Sequence, residues 1–186
     1  MIKLINGRVP VERTPAPPAA AHVAPLRQLL DLLDRLAPRT YEATTPILPG
    51  GSVGAHVRHC LVFYDVLFSG LPQGRVDYNK RRRDLAIEAD MGRARDSIRR
   101  TLDRLAGVSA REAAQPLLVR GEEADDSEDG EWCVSTLGRE LQFVLSHTIH
   151  HQALIGVVLR AAGEEPDASF GVSPSTLRHW RRRAAS

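Results

Sequence analysis

Cysteine is scarce in this 186-residue chain: Cys60 and Cys133 stand alone, form no C-x-x-C pair and exclude a disulfide framework. Such usage suits a reducing cytosol, and nothing in the sequence supports a bridge between the two. Net charge is nearly absent, since 25 Lys and Arg face 23 Asp and Glu, for a formal balance of +2. The pI near 8.8 reflects many arginines and no global basic field, which argues against nucleic acid or an anionic membrane as a partner. Long apolar runs are missing too. No stretch approaches the roughly 18 residues of a membrane span, and Met1 to Val11 lacks the apolar heart of a signal peptide, so the expectation is a soluble cytoplasmic protein. There is no internal repeat and no H-E-x-x-H, the arrangement that gives zinc proteases a base within the ligand helix.

What is present is helical periodicity on a length that suits one domain with a sizeable core. Residues 1–18 are proline-rich, end in Pro15-Ala16-Pro17-Pro18, and read as an arm that docks on the body or stays mobile. Leu26, Leu29, Leu30, Leu33 and Leu36 then predict an amphipathic helix over about 19–37, stopped at Pro38. Ser52 is a good N-cap for a second helix running to Gly70, which places His56 and His59 in its first two turns. The charged stretch 74–87 reads as an ordered loop or a helical turn. Asp90 caps a third helix through Ala94, Ile98, Leu102 and Leu105, ended by Gly107. Pro116–Arg120 and Glu131–Ser135 flank an acidic tip and predict a small hairpin. The last long helix spans Thr136 to Gly163, and Ser173 with Pro174 opens a short terminal helix. The expectation is an all-α four-helix bundle over 19–163 with a β-hairpin insertion before the last long helix, followed by a tail, 164–186, whose short helix packs on the bundle.

The chemistry concentrates in Ser146-His147-Thr148-Ile149-His150-His151. At about 100° per residue His147 and His151 share one inward helix face, close enough for both rings to reach one cation. A pair does not complete a site, and buried neutral imidazoles are often satisfied by hydrogen bonds alone. A third imidazole on a facing helix changes that balance, because bundle metal sites are built from facing helices. Spacing leaves His56 and His59 equal: either is the ligand, and the other its hydrogen-bonded outer partner. His150 lies about 100° from His151, turned away from His147, and reads as an outer or entrance residue. Glu140, seven residues before His147 on nearly the same face, is either a carboxylate near the site or a surface ion pair with an arginine such as Arg139. Cys60 sits inside a helix beside His59 and reads as packing rather than nucleophile.

These residues resemble a known family. The His-Val-Arg-His-Cys-Leu that opens the second helix, the Ser-His-Thr-Ile-His-His-Gln-Ala-Leu-Ile of the fourth and the Leu-Arg-Ala-Ala-Gly that ends it are similar to the DinB-like superfamily of metal-binding bundles. The likeness covers about residues 20–163, and the tail Phe-Gly-Val-Ser-Pro-Ser-Thr-Leu is similar to that of an uncharacterised bacterial subgroup. It implies an up-down-down-up bundle that holds a zinc, nickel or iron ion at one end through His59, His147 and His151, with His150 not a ligand. It also implies a homodimer, and an activity among metal-dependent thiol transferases, which use low-molecular-weight thiols, or hydrolases. Val62 stands where many relatives carry an acidic residue after the helix-two histidine.

Three neutral imidazoles leave a dication its charge and an open position, which acidifies a bound water or thiol, and Glu140 and His150 are then the candidate catalytic residues for proton transfer. A non-catalytic, metal-stabilised binding module shares every ligand and differs in closing the coordination sphere with a fourth protein group. DNA binding ranks lowest. Val172 to Arg183 is similar to a recognition helix, but Pro166 interrupts the helix that should precede it. The arginine run 81–83 reads by default as a solvated loop pairing with acids such as the 122–131 tip, with an anionic-substrate contact near the metal mouth, beside Tyr78, as the alternative.

Overall fold

The computed structural model describes residues 19–48, 51–82, 84–121 and 131–185; the proline-rich arm 1–18, Arg83 and the acidic tip 122–130 lie outside the described residues. The chain is mostly helical. After a 3-10 turn over Ala20–His22, helix α1 spans Val23–Arg35 and buries Leu26, Leu29, Leu32 and Leu33 on one stripe. It stops earlier than the sequence predicts. Leu36 and Ala37 are extended, with ψ 138° and 141°, and at Ala37 the ring of Pro38 excludes helical backbone. Pro38 then opens a short helix of its own, α2 (Pro38–Glu42), where its missing N–H costs nothing.

Helix α3 (Val53–Gly70) starts as expected from Ser52, whose hydroxyl accepts the Ala55 N–H at 3.0 Å. Strand β1 (Arg75–Asp77) and helix α4 (Leu85–Ala89) follow, and then α5 (Met91–Ala106), capped by Asp90 and buried through Ala94, Ser97, Ile98, Thr101 and Leu105. Helix α6 (Ala110–Ala113) carries a capping box between Ser109 and Glu112. Strands β2 (Pro116–Arg120) and β3 (Cys133–Thr136) form the expected antiparallel pair, from Pro116 opposite Thr136 to Val119 opposite Cys133. Helix α7 (Leu137–Ala161) is capped by Thr136 and released at Gly163, whose φ of 79° favours glycine.

An all-α fold is therefore corrected to a helical fold with a three-stranded sheet, because β1 adds to the hairpin in parallel, Arg75 opposite Leu118 and Asp77 opposite Arg120. A three-residue strand is too short to show a period of two, and its partner lies some forty residues on, so the sequence reads it as loop.

Helix α3 packs against both α7 and α5, while α1 closes against α5 and α7. One core results, with Leu29, Leu33, Leu61, Phe63, Leu67, Ile98, Val144 and Ile155 fully buried; each such side chain contributes about 1.5–3 kcal/mol by leaving water. Gly54 lets α4 approach α3, since a Cβ there would meet the Glu88 carbonyl oxygen at 2.2 Å. The core also holds a polar thread: buried His22 has Nδ1 2.9 Å from the Tyr64 hydroxyl, which accepts from Thr148 Oγ1 at 3.2 Å. Gln152 ties α7 to α1 by donating to the Pro25 carbonyl at 2.7 Å. In the tail, Pro166 and Phe170 are buried, whereas helix α8 (Pro174–Ala184), capped by Ser173, buries no residue. Among the described residues, no helix is long and apolar enough to cross a membrane.

Candidate metal centre

Helices α3 and α7 bring five histidines to one end of their shared interface. The Ser52 cap fixes the first turn of α3, which places His56 and His59 one turn apart, and α7 presents His147 and His151 opposite them. Ring centroids lie 4.9 Å apart for His59 and His147, 4.4 Å for His59 and His151, and 4.6 Å for His147 and His151. One ligand atom from each of these three side chains lies within 4.8 Å of those of the other two. Nitrogens bound tetrahedrally at roughly 2.0–2.1 Å from zinc stand about 3.4 Å apart, so modest ring rotation suffices for the triad to hold a divalent ion.

The donor chemistry fits as well. His151 is pushed down to about 3, first by burial and then by the neighbouring imidazoles of His147, His59, His56 and His150. A neutral ring with an available lone pair is what a cation requires. His56 stands outside the triad, with its Nδ1 3.0 Å from Nδ1 of His151. One of these two nitrogens donates to the other, so the contact couples the tautomer of His151 to that of His56. Burial, then the nearby His150, lowers the His56 pKa, which keeps that ring a competent acceptor.

The triad lies beside the core stripe rather than on it. Thr148 and Gln152 occupy the fully buried positions of α7, while His147 and His151 sit a quarter-turn away, half-buried, with their rings packed toward α3. His150 is exposed, its ring 5.2 Å from that of His151. Glu140 is not brought to the triad, and it is not a surface ion pair either. Two turns of helix, about 10 Å, separate it from His147, and its buried carboxylate accepts from Tyr78 Oη at 3.0 Å and from Ser135 Oγ at 2.5 Å. Burial, and then the neighbouring Glu140 carboxylate, raise the Tyr78 pKa, so the phenol stays a donor. Cys60 is fully buried and its thiol is pushed up to about 12 by desolvation, while Cys133 is exposed; both are free.

Sequence reasoning missed the aromatic floor. Phe63 lies 4.0 Å from the His147 ring and stacks on Tyr78 at 5.3 Å, and Phe143 packs against both Phe63 and Tyr78. Its α3 and α7 members were legible as apolar positions one turn from the histidines, but Tyr78 arrives only because β1 joins the sheet. Beside His59 lies a cleft of about 280 Å³ lined by Arg58, His59, Val62, Asn79 and Arg81. Arg58 Nε pairs with Glu88 Oε2 at 2.8 Å, and the Arg81 guanidinium lies 4.8 Å over Phe63. Arg81 thus lines this cleft, half-buried, while Arg83 and the acidic tip lie outside the described residues.

A helical protein with a three-histidine group between two long helices is the class that fold and site define. The sequence profile of the DinB superfamily matches residues 21–155, and the chain belongs to that superfamily. Over 112 residues, 58% of this chain, it is 30% identical to FK506-binding protein 5 of Rhizopus delemar, of whose length the match spans 28%. No solved structure matches this chain.

Proposed function

We propose that the chain binds one divalent cation, zinc, nickel or iron, through His59, His147 and His151, and uses it as a thiol transferase or hydrolase. The observation that carries this reading is the convergence of three imidazoles from two helices, within 4.8 Å, at the edge of a cleft. A dication held by three neutral imidazoles keeps its full charge and lowers the pKa of a water or thiol that reaches it. The chain's own residues hold the rest. Phe63 and Phe143 shield one side of the rings from water, His56 orients His151, and exposed His150 is placed to exchange protons with solvent. Among the described residues no fourth histidine, cysteine or carboxylate joins the group, which favours an open centre over the closed sphere of a purely structural zinc. Glu140 drops out as a proton carrier because Tyr78 and Ser135 hold both its oxygens.

The same reading takes a low-molecular-weight thiol as co-substrate, an up-down-down-up arrangement of α1, α3, α5 and α7, and a cytoplasmic homodimer. Elemental analysis of the purified protein beside a His147→Ala/His151→Ala variant tests it. About one metal per chain in the wild type and none in the variant is the expected result, after which the loaded protein is screened with small thiols and electrophiles. Stoichiometric metal retained by the variant overturns the assignment.

A further inference from the structure

Glu140 is buried two turns of α7 away from His147, and a carboxylate out of water is costly unless donors answer it. Two do, from different strands of the sheet. Ser135 of β3 donates to Oε1 at 2.5 Å, and Tyr78, the residue that follows β1, donates to Oε2 at 3.0 Å. The backbone N–H of Tyr78 donates in turn to the Arg120 carbonyl at the end of β2, at 3.0 Å, so this buried residue is fixed at both ends. From there a column of rings leads to the triad. Tyr78 stacks on Phe63 with centroids 5.3 Å apart and planes 30° from parallel, and Phe63 lies 4.0 Å from the ring of His147. Phe143 closes the column at its side, 5.4 Å from Tyr78 and 6.0 Å from His147. Aromatic pairs have preferred offsets, so a ring pinned at its hydroxyl passes its placing to the ring it stacks on.

We propose that Glu140 and Tyr78 are positioning residues for the ligand His147: the carboxylate fixes the phenol, the phenol fixes Phe63, and Phe63 sets the plane in which the His147 imidazole meets the ion. The backbone of α7 fixes the Cα of His147 but leaves χ1 and χ2 to be decided by what packs against the ring. An apolar residue in place of Glu140 would fill the same space without the cost of desolvation, so what the carboxylate supplies is direction, an acceptor for the Tyr78 hydroxyl at one point in space. The link from sheet to imidazole stands on these contacts; its value for chelation rests on the metal reading given above.

Three measurements on the full-length chain test this: zinc affinity by competition with a chromophoric chelator, the ligand-field spectrum of the cobalt-loaded protein, and the His147 ring resonances of the metal-free protein. Tyr78→Phe keeps the ring and deletes the hydroxyl, Glu140→Gln keeps an acceptor for it, and Glu140→Ala removes that acceptor. Ile98→Val in the core face of α5 controls for lost stability alone. Tyr78→Phe and Glu140→Ala should each weaken zinc about tenfold, the lower end of what residues outside the coordination sphere contribute, and shift the cobalt bands. Glu140→Gln should bind nearly as the wild type does. The His147 ring protons, displaced by the ring current of Phe63, should move back toward ordinary values in Tyr78→Phe and Glu140→Ala and stay in place in Ile98→Val. Tyr78→Phe decides alone if Glu140→Ala does not fold. His147 resonances untouched by Tyr78→Phe overturn the proposal, and so does an unchanged affinity in a protein that binds zinc. Glu140→Gln as weak as Glu140→Ala overturns it too, since charge and not the acceptor would then be the cause. A wild type that retains no zinc removes the metal reading, while a His147 shift in Tyr78→Phe still upholds the column; zinc retained with His147 unmoved does the reverse.

Discussion

Acid should loosen this fold through a histidine that plays no part in the centre. His22, at the start of α1, is fully buried against Tyr64, and burial pushes its imidazole down to about 4 from an ordinary 6.5. The folded chain therefore resists the proton that the unfolded chain takes up first. Stability is undiminished above pH 6.5, declines as the pH drops through that value, and levels off near pH 4. A difference of 2.5 between the two pKa values corresponds to about 3 kcal/mol in full, of which about 2 kcal/mol is lost between pH 7 and pH 5. The perturbation that isolates it is His22→Asn, which places an amide near the position of Nδ1, within reach of the Tyr64 hydroxyl, and does not titrate. Urea unfolding of the metal-free wild type and variant at both pH values gives four midpoints. The other acid-sensitive groups, His151 among them, are common to both chains and cancel in the difference. The wild type should lose about 2 kcal/mol more than the variant, and equal losses would refute the argument that burial sets the His22 pKa.

Two further outcomes follow from contacts in the structure. His56→Leu removes the partner of His151 Nδ1 while leaving the triad, and zinc affinity measured by competition with a chromophoric chelator should fall about 10- to 100-fold; unchanged affinity would show that His56 does not orient the ligand. Gly54→Ala sets a Cβ 2.2 Å from the Glu88 carbonyl oxygen and 2.8 Å from Tyr41, so it should cost about 1–3 kcal/mol and lower Tm by several degrees, whereas an unshifted calorimetric transition would mean that α4 can retreat freely from α3.

The elements that could be read in advance are those whose causes lie within a turn or two of chain. Ser52, Asp90, Thr136 and Ser173 each cap the helix that follows them, and a cap is a contact between residues two or three apart. The proximity of His147 and His151 is legible for the same reason, since helical geometry alone carries residue i to i+4. The end of α1 needs two local rules together: Pro38 keeps Ala37 out of helical backbone, and it then opens the next helix. Glu140 was placed on the correct side of α7, yet periodicity does not reveal that Tyr78, arriving from another element, would claim it.

By itself, then, the sequence determined the four long helices, their caps, the hairpin, and the placing of chelating side chains near the start of α3 and in α7. Helical spacing left His56 and His59 equal, and the tertiary structure groups His59 with His147 and His151; it alone decided that Arg75–Asp77 pairs in parallel with Leu118–Arg120 and that Arg81 lies over Phe63. The division has one physical origin. Dihedral preference and helical spacing act between near neighbours and are written in local order, whereas the rotation of α3 against α7 and the docking of β1 on β2 arise from burying surfaces that lie forty to ninety residues apart.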